Sequence, residues 1–215
     1  PISMRQAHVV DAFVAGLGRS DLQLIDVGCG TGWLCEQLRQ YGQVTGTDLT
    51  EAVLQRARLR APEVTFISGN FFELDLPPAS FDVAISLEVL SHVPDQGAFI
   101  RRVASLIKPG GRLVLSTQNR PVLQRWSEIG APIEGTIRHW VNASELKALL
   151  TPHFENVQIT SIFPVGDRGW LRVVNSHKLN SILGKLISAD VIERAKERIM
   201  LGHTLMAFGT RPHLN

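Results

Sequence analysis

Apolar and polar positions along the first half of the chain alternate between two periods, and the spacing predicts strands and helices in turn. Residues 4–18 place Val9, Val10, Phe13, Val14 and Leu17 on one side of a helix that Gly18 ends. The run Leu22-Gln23-Leu24-Ile25, closed by Val27, predicts a strand over 22–27. Leu34, Leu38 and Tyr41 then recur at helical spacing, giving a helix over 31–41. A second strand is expected over 43–48, and a helix over 50–60 with Val53, Leu54 and Ala57 inward and Pro62 beyond its end. Residues 64–67 predict a third strand, and the irregular stretch Asn70 to Leu76 leads to Pro77-Pro78. Residues 81–86 predict a fourth strand. Phe99, Ile100, Val103, Leu106 and Ile107 mark a helix over 95–107, Lys108-Pro109-Gly110-Gly111 stops it, and 112–116 predicts a fifth strand.

Beyond Thr117 the pattern changes. Residues 118–141 carry little periodicity but hold Arg120, Arg125, Trp126, Arg138, His139 and Trp140. A helix restarts at Asn142, with Glu145 three positions on as in a capping box and Leu146, Leu149 and Leu150 inward. Val157, Ile159, Ser161 and Phe163 alternate as a strand. Leu171, Val174, Leu179, Ile182, Leu183 and Leu186 give an apolar-faced helix over 171–187, Asp190 opens another, and 203–209 is a last strand.

Strands that alternate with helices, and that are apolar nearly throughout, belong in a parallel sheet covered on both faces. The expected fold is α/β, a Rossmann-like, seven-stranded, mostly parallel sheet with helices on both faces and an antiparallel last strand. A helical insertion, about 167–200, precedes that strand as a lid or dimer surface. No repeat, linker or low-complexity tract divides the chain, so 1–215 is read as a single domain.

Between the first strand and the helix after it lies Asp26-Val27-Gly28-Cys29-Gly30-Thr31-Gly32. Glycines there permit positive φ and close approach of a ligand, at the switch point of such a sheet. The third glycine comes one position early for a dinucleotide fingerprint, where Trp33 stands, which disfavours a flavin or nicotinamide. No Gly-Lys-Ser/Thr follows, so the loop is not a phosphate loop either.

Composition narrows the class further. Of 215 residues, 44% are hydrophobic and 20% charged, which suits a globular core and not a disordered chain. A net charge of +2 does not demand a nucleic-acid partner. Cys29 and Cys35 have no zinc spacing and read as reduced packing residues, which suits a cytoplasmic protein. No run is long enough to span a membrane, and Pro1-Ile2-Ser3-Met4-Arg5 lacks a signal-peptide core.

The glycine motif at 26–32, the acidic Asp48 ending the second strand, Phe-Asp-Val-Ala at 81–84, Glu-Val-Leu-Ser-His-Val at 88–93 and Lys-Pro-Gly-Gly at 108–111 together resemble a class I S-adenosylmethionine-dependent methyltransferase. The nearest flavour is the small-molecule group that includes ubiquinone-biosynthesis O-methyltransferases, and the resemblance runs over about residues 20–150. It implies S-adenosyl-L-methionine as cofactor, S-adenosyl-L-homocysteine as product, and no metal. Asp48 is then the acceptor for the ribose hydroxyls, with a turn aspartate before Thr50 as its alternative role. Leu49 would pack on adenine. Asn70 stands where the family has an Asp for the adenine amino group, and Phe71 serves either the adenine or the core. Gly28, Cys29 and Gly30 would give close backbone contact. Ser86 and Leu87 would offer carbonyls to the methionine ammonium. Asp26 would reach the same ammonium or brace the loop.

For a hydroxyl acceptor a general base is expected, and His139 and His92 compete for it. His8 is a third candidate, and His203 reads as structural. Trp126, Trp140, Phe163 and Trp170 are expected around an aromatic acceptor, and Arg120, Arg125, Arg138 and Arg168 around an anionic one. The place after the fourth strand reads Ser86-Leu87-Glu88-Val89, not the Asn/Asp-Pro-Pro-aromatic motif of DNA amino-methyltransferases, so a DNA acceptor is not expected. A homodimer is a possible assembly. Alternatives are an N- or carboxyl-methyltransferase, an inactive S-adenosylmethionine-binding protein and, behind these, a nicotinamide-dependent oxidoreductase.

Overall fold

The computed structural model describes residues 2–130, 134–174, 176 and 188–213. Helix α1 (Ile2–Ala15) is followed by β1 (Leu22–Val27), α2 (Trp33–Leu38), β2 (Gly42–Asp48), α3 (Glu51–Arg60) and β3 (Thr65–Ser68). Then come β4 (Phe81–Leu87), α4 (Gln96–Leu106), β5 (Ile107–Gln118), α5 (Arg120–Leu123), α6 (Ala143–Leu150) and β6 (Glu155–Pro164). The chain closes with α7 (Trp170–Val174), α8 (Ala189–Arg198) and β7 (Gly202–Thr210). The seven strands form one sheet in the order β3-β2-β1-β4-β5-β7-β6. β1 to β5 pair in parallel, and β7 runs antiparallel between β5 and β6. The expected sheet, with its antiparallel last strand, is borne out.

The two faces carry separate cores. Val10 and Val14 of α1, Leu34 and Leu38 of α2 and Leu54 of α3 cover one face. Phe99, Ile100, Val103 and Leu106 of α4, with Leu146 and Leu150 of α6, cover the other. Each such side chain contributes about 1.5–3 kcal/mol on burial, which explains why β1 and β4, packed from both sides, are apolar nearly throughout. The reversal of strand order falls between β1 and β4, and both strands deliver their carboxyl ends there.

Local chemistry sets the boundaries. Asn142 accepts from the Glu145 N–H at 2.9 Å while Glu145 Oε2 accepts from the Asn142 N–H at 2.9 Å, the capping box expected for α6. Helix α2 is shorter than expected, because residues Arg39–Tyr41 tighten into a 3-10 turn. Lys108-Pro109-Gly110-Gly111 does not stop α4 as a loop. Ile107 already pairs with Phe81, and regular pairing resumes at Val83 with Arg112, so the four residues bulge within β5. Gly110 donates to the Arg211 carbonyl and Arg211 to that of Gly111, which satisfies the bulged backbone from β7's continuation. Helix α8 opens at Ala189, one residue before Asp190, with Ser188 at its cap position. Of the helix expected over 171–187, Leu171 and Val174 lie in α7; Leu179, Ile182, Leu183 and Leu186 lie outside the described residues.

The Asp82 of the Phe-Asp-Val-Ala motif sits at the amino end of β4, away from the switch point. It accepts from the Gln23 N–H at 2.8 Å, Lys108 Nζ at 2.8 Å and Arg19 at 3.1 Å. Burial pushes its carboxyl up, but these partners outweigh that and hold it below the usual carboxylate range. Its stabilisation is present above the unfolded carboxylate range and is lost as pH falls through the depressed folded value. Asp82→Asn is expected to cost ~1–3 kcal/mol, read as a lower unfolding midpoint in urea at neutral pH, with the gap to wild type closing in acid.

Candidate active site

The glycine loop is a turn pinned to the strand beside it. The N–H groups of Gly28 and Cys29 both donate to the Thr47 carbonyl of β2, at 2.8 and 2.9 Å. Gly28 has φ +78°, and a Cβ there would lie 2.2 Å from Val89 Cγ2. Gly32 has φ +69°, and a Cβ there would meet Phe66 at 2.8 Å and Ala57 at 2.9 Å. Side chains are excluded at both positions by conformation and by space.

Two cavities open on either side of this loop. One, of about 410 Å³, is lined by Gly28, Thr47, Asp48, Leu49, Asn70 and Phe71, with Glu88, His92 and Phe99 opposite. The other, of about 360 Å³, is lined by Asp26, Gly28, Cys29, Trp33, Glu88 and His203, with Ile2, Ser3 and Gln6 of α1 over it. Gly28, Leu87 and Glu88 line both, so the cavities meet at the ends of β1 and β4. Among the described residues, neither is lined by a lysine or an arginine.

Asp48 is fixed from two sides: Oδ2 accepts from the Gly30 N–H at 2.9 Å and Oδ1 from the Thr50 N–H at 3.1 Å. A carboxylate offers about four lone-pair sites, so further acceptor capacity faces the larger cavity. The turn role and the acceptor role are thus compatible in one side chain. Leu49 is 73% exposed at the rim. Asn70 spends its amide on Glu73 at 2.8 Å, and its oxygen accepts from the Phe72 N–H at 3.2 Å. Phe71 packs on Phe99, ring centroids 5.4 Å apart, while still lining the cavity, so it serves core and cleft together.

Asp26 is buried, and its Oδ2 accepts from Cys35 Sγ at 3.4 Å. Burial without a cationic partner raises its carboxyl to about 7. The Cys35 thiol is pushed up by its contact with Cys29 and by burial, and both cysteines are free.

Glu88 carries a functional signature that the motif alone did not assign. It follows β4 with φ +63°, a conformation costly for a residue with a Cβ. Its side chain accepts from Gln6 Nε2 at 2.6 Å and Ser116 Oγ at 3.1 Å. Burial raises its carboxyl despite these donors. Gln6 itself was detectable as a polar residue in register with Val10 and Val14 on the buried stripe of α1.

The expected bases fall apart in space. His92 lines the larger cavity, and its Nδ1 meets the Ile137 carbonyl at 3.1 Å. His139 is exposed and lines neither cavity. His8 lines a groove on the outer side of α1 with Met4, Asp11 and Gln40. The aromatic and basic residues of the second half also disperse. Trp126 stands edge-on to His203, ring centroids 5.4 Å apart, whereas Phe163 is 36% exposed with φ +64°. Arg120 is paired with Glu145 at 2.6 Å, and Arg125 and Arg138 donate to the carbonyls of Pro121 and Gly130.

Residues 25–115 match the family model described as Methyltransferase domain. The expected resemblance to class I S-adenosylmethionine-dependent methyltransferases is borne out over these residues. The ubiquinone biosynthesis O-methyltransferase of Stutzerimonas stutzeri is 43% identical over 143 residues, covering 60% of this chain and 58% of the relative. That of Idiomarina loihiensis is 44% identical over 110 residues, covering 46% and 44%. The chain thus spans about half the length of the curated relatives it matches. Among solved structures, the N-methyltransferase NodS from Bradyrhizobium japonicum, in complex with S-adenosyl-L-homocysteine, superposes with a TM-score of 0.68 at 15% identity, covering 99% of this chain and 89% of that one. An S-adenosylmethionine-dependent methyltransferase from Mesorhizobium loti gives 0.61 at 24% identity, covering 89% and 92%. These likenesses establish the fold.

Proposed function

We propose that this protein transfers a methyl group from S-adenosyl-L-methionine to a hydroxyl of a small-molecule acceptor. The observation that carries the reading is the pairing of a doubly anchored Asp48 with a glycine loop and no lysine or arginine among the described lining residues. A phosphate would want that cation; a ribose diol wants the carboxylate. In this reading Asp48, Leu49, Asn70 and Phe71 hold the adenosine in the larger cavity. Gly28, Cys29 and Gly30 approach it by backbone, and Asp26 with the Leu87 carbonyl receives the methionine ammonium toward the smaller one. The cofactor, when bound, supplies a methyl already activated by a sulfonium. The chain's own work is then to bind, align and exclude water.

The relatives' names as O-methyltransferases support a hydroxyl acceptor. Trp126 beside the smaller cavity supports an aromatic one. In the same proposal 1–215 works as a single domain with the segment about 167–200 as a lid or homodimer surface. Arg5 of α1 reaches Glu197 of α8 at 2.8 Å, and Val173, Val191 and Ile199 are exposed there, which supports that role. Reduced Cys29 and Cys35 support a cytoplasmic setting, and among the described residues no helix is long and apolar enough to cross a membrane. A transfer screen with methyl-labelled donor over phenols, amines and carboxylic acids tests the reading. Label in phenols is expected; label confined to amines or carboxylates overturns the hydroxyl assignment.

A further inference from the structure

The smaller cavity is lined by a buried carboxylate, Glu88, and by the imidazole of His203. Glu88 accepts from Gln6 and Ser116. Thr204 is fully buried on β7, and His203 Nδ1 lies 2.9 Å from its hydroxyl oxygen. Nδ1 is thus engaged from behind, and Nε2 is the ring nitrogen left for another partner. When Nδ1 is the donor to Thr204, Nε2 keeps its lone pair.

The ring is also held in place. The His203 carbonyl accepts from the Asn119 N–H at 2.8 Å, and the Gly202 N–H donates to buried Ser161 Oγ at 2.9 Å. Trp126 stands edge-on against the imidazole, with an interplanar angle of 89°. His203 thus lines the cavity with its position fixed from behind.

We infer that His203, and not His139, is the base that takes the acceptor's hydroxyl proton, with Nδ1 donating to Thr204. The inference rests on the methyl-transfer reading above and names the group that serves it. As the O–H bond breaks, its proton goes to His203 Nε2 and the oxygen's electron pair forms the bond to the methyl carbon. The C–S electron pair stays on sulfur, turning the sulfonium into a thioether, and the imidazolium then releases its proton to solvent. Burial holds the imidazole below its ordinary range, so it is neutral and able to accept at neutral pH. Asp26, Glu88 and Cys29 are the other titratable side chains on this cavity, and burial raises the two carboxyls.

Two measurements test this. Long-range proton–nitrogen correlation of the His203 ring, on the wild-type chain without ligand, is expected to show a protonated Nδ1 and a bare Nε2. In Thr204→Val that preference is lost. The opposite tautomer in wild type overturns the inference whatever the variants do. For turnover, His203→Gln is expected to lower kcat on neutral phenols by about 10²- to 10⁴-fold with donor affinity unchanged. The deficit is expected to vanish with nitrophenols already ionised at the assay pH, which need no base. Equal kcat in His203→Gln and wild type overturns the inference and leaves the methyl-transfer reading standing, as does a deficit equal for neutral and ionised acceptors. A wild-type chain that binds donor yet methylates no hydroxyl contradicts the O-methylation reading itself, and the inference with it.

Discussion

Asp48→Ala is expected to weaken S-adenosylmethionine binding by about a hundredfold or more. The carboxylate would lose two hydrogen bonds to the ribose, each worth roughly 1.5–3 kcal/mol where one partner is charged. Its geometry makes the effect specific, because the Gly30 and Thr50 N–H groups at 2.9 and 3.1 Å already hold it against the cleft. Loss of those anchors lowers stability by roughly 1–2 kcal/mol, so the variant remains folded at room temperature. Calorimetric titration reads the affinity directly. Comparison of adenosine with 2′-deoxyadenosine isolates the diol: wild type is expected to prefer adenosine, and Asp48→Ala to bind the two alike. Unchanged affinity in the variant would mean that the ribose lies elsewhere.

Asp26 gives the second large effect, and its sign follows from burial. Its carboxyl sits at about 7 in the folded protein and is held up by desolvation. An ammonium ligand needs the ionised form. Donor affinity is therefore expected to rise about tenfold per pH unit up to that value and to level off above it. In Asp26→Asn this dependence is expected to disappear, with affinity low throughout. Stability runs the other way. Between the unfolded carboxylate range and about 7 the folded chain keeps a proton that the unfolded chain has lost, so stability falls as pH rises across that window. Above it, Asp26→Asn is expected to be more stable than wild type without ligand by roughly 1–4 kcal/mol, read by thermal unfolding at alkaline and acidic pH. An affinity flat from acid to neutral pH would remove Asp26 from the ammonium site.

The parts of this site that were legible in sequence are those built from consecutive residues. Asp26 to Gly32 are adjacent, and Asp48 ends a strand whose position the alternation of strand and helix already set. β1 is found over Leu22–Val27, the same residues that its apolar run marks. Asn70 and Phe71 follow β3 into the cleft for the same reason. What was not legible is the polar network on the other side of the loop. Gln6 and Glu88 are 82 positions apart, and Gln6 and Ser116 are 110 apart. Nothing local in α1, β4, β5 or β7 says that their polar residues converge. His203 read as structural because a lone histidine opening a strand carries no periodic signal; its meaning comes from Thr204 and from the cavity that α1 closes. The arginines of the 118–141 stretch show the reverse case. Arg120, Arg125 and Arg138 are plentiful near one another in sequence, but their guanidinium groups are used to tie down a carboxylate and main-chain carbonyls. Residues dense in sequence need not share a site: Arg120 lies in α5, whereas Arg125 and Arg138 follow it in the chain and take other partners.

The central claim is that the cleft at the ends of β1, β2 and β4 holds S-adenosylmethionine. Calorimetric titration of the wild-type chain with this ligand and with S-adenosylhomocysteine tests it most directly. The expected result is saturable one-to-one binding of both within the range of about 1 μM to 1 mM common for enzyme substrates, with Asp48→Ala weakened in parallel for the two. No binding of either ligand at about 1 mM would contradict the account.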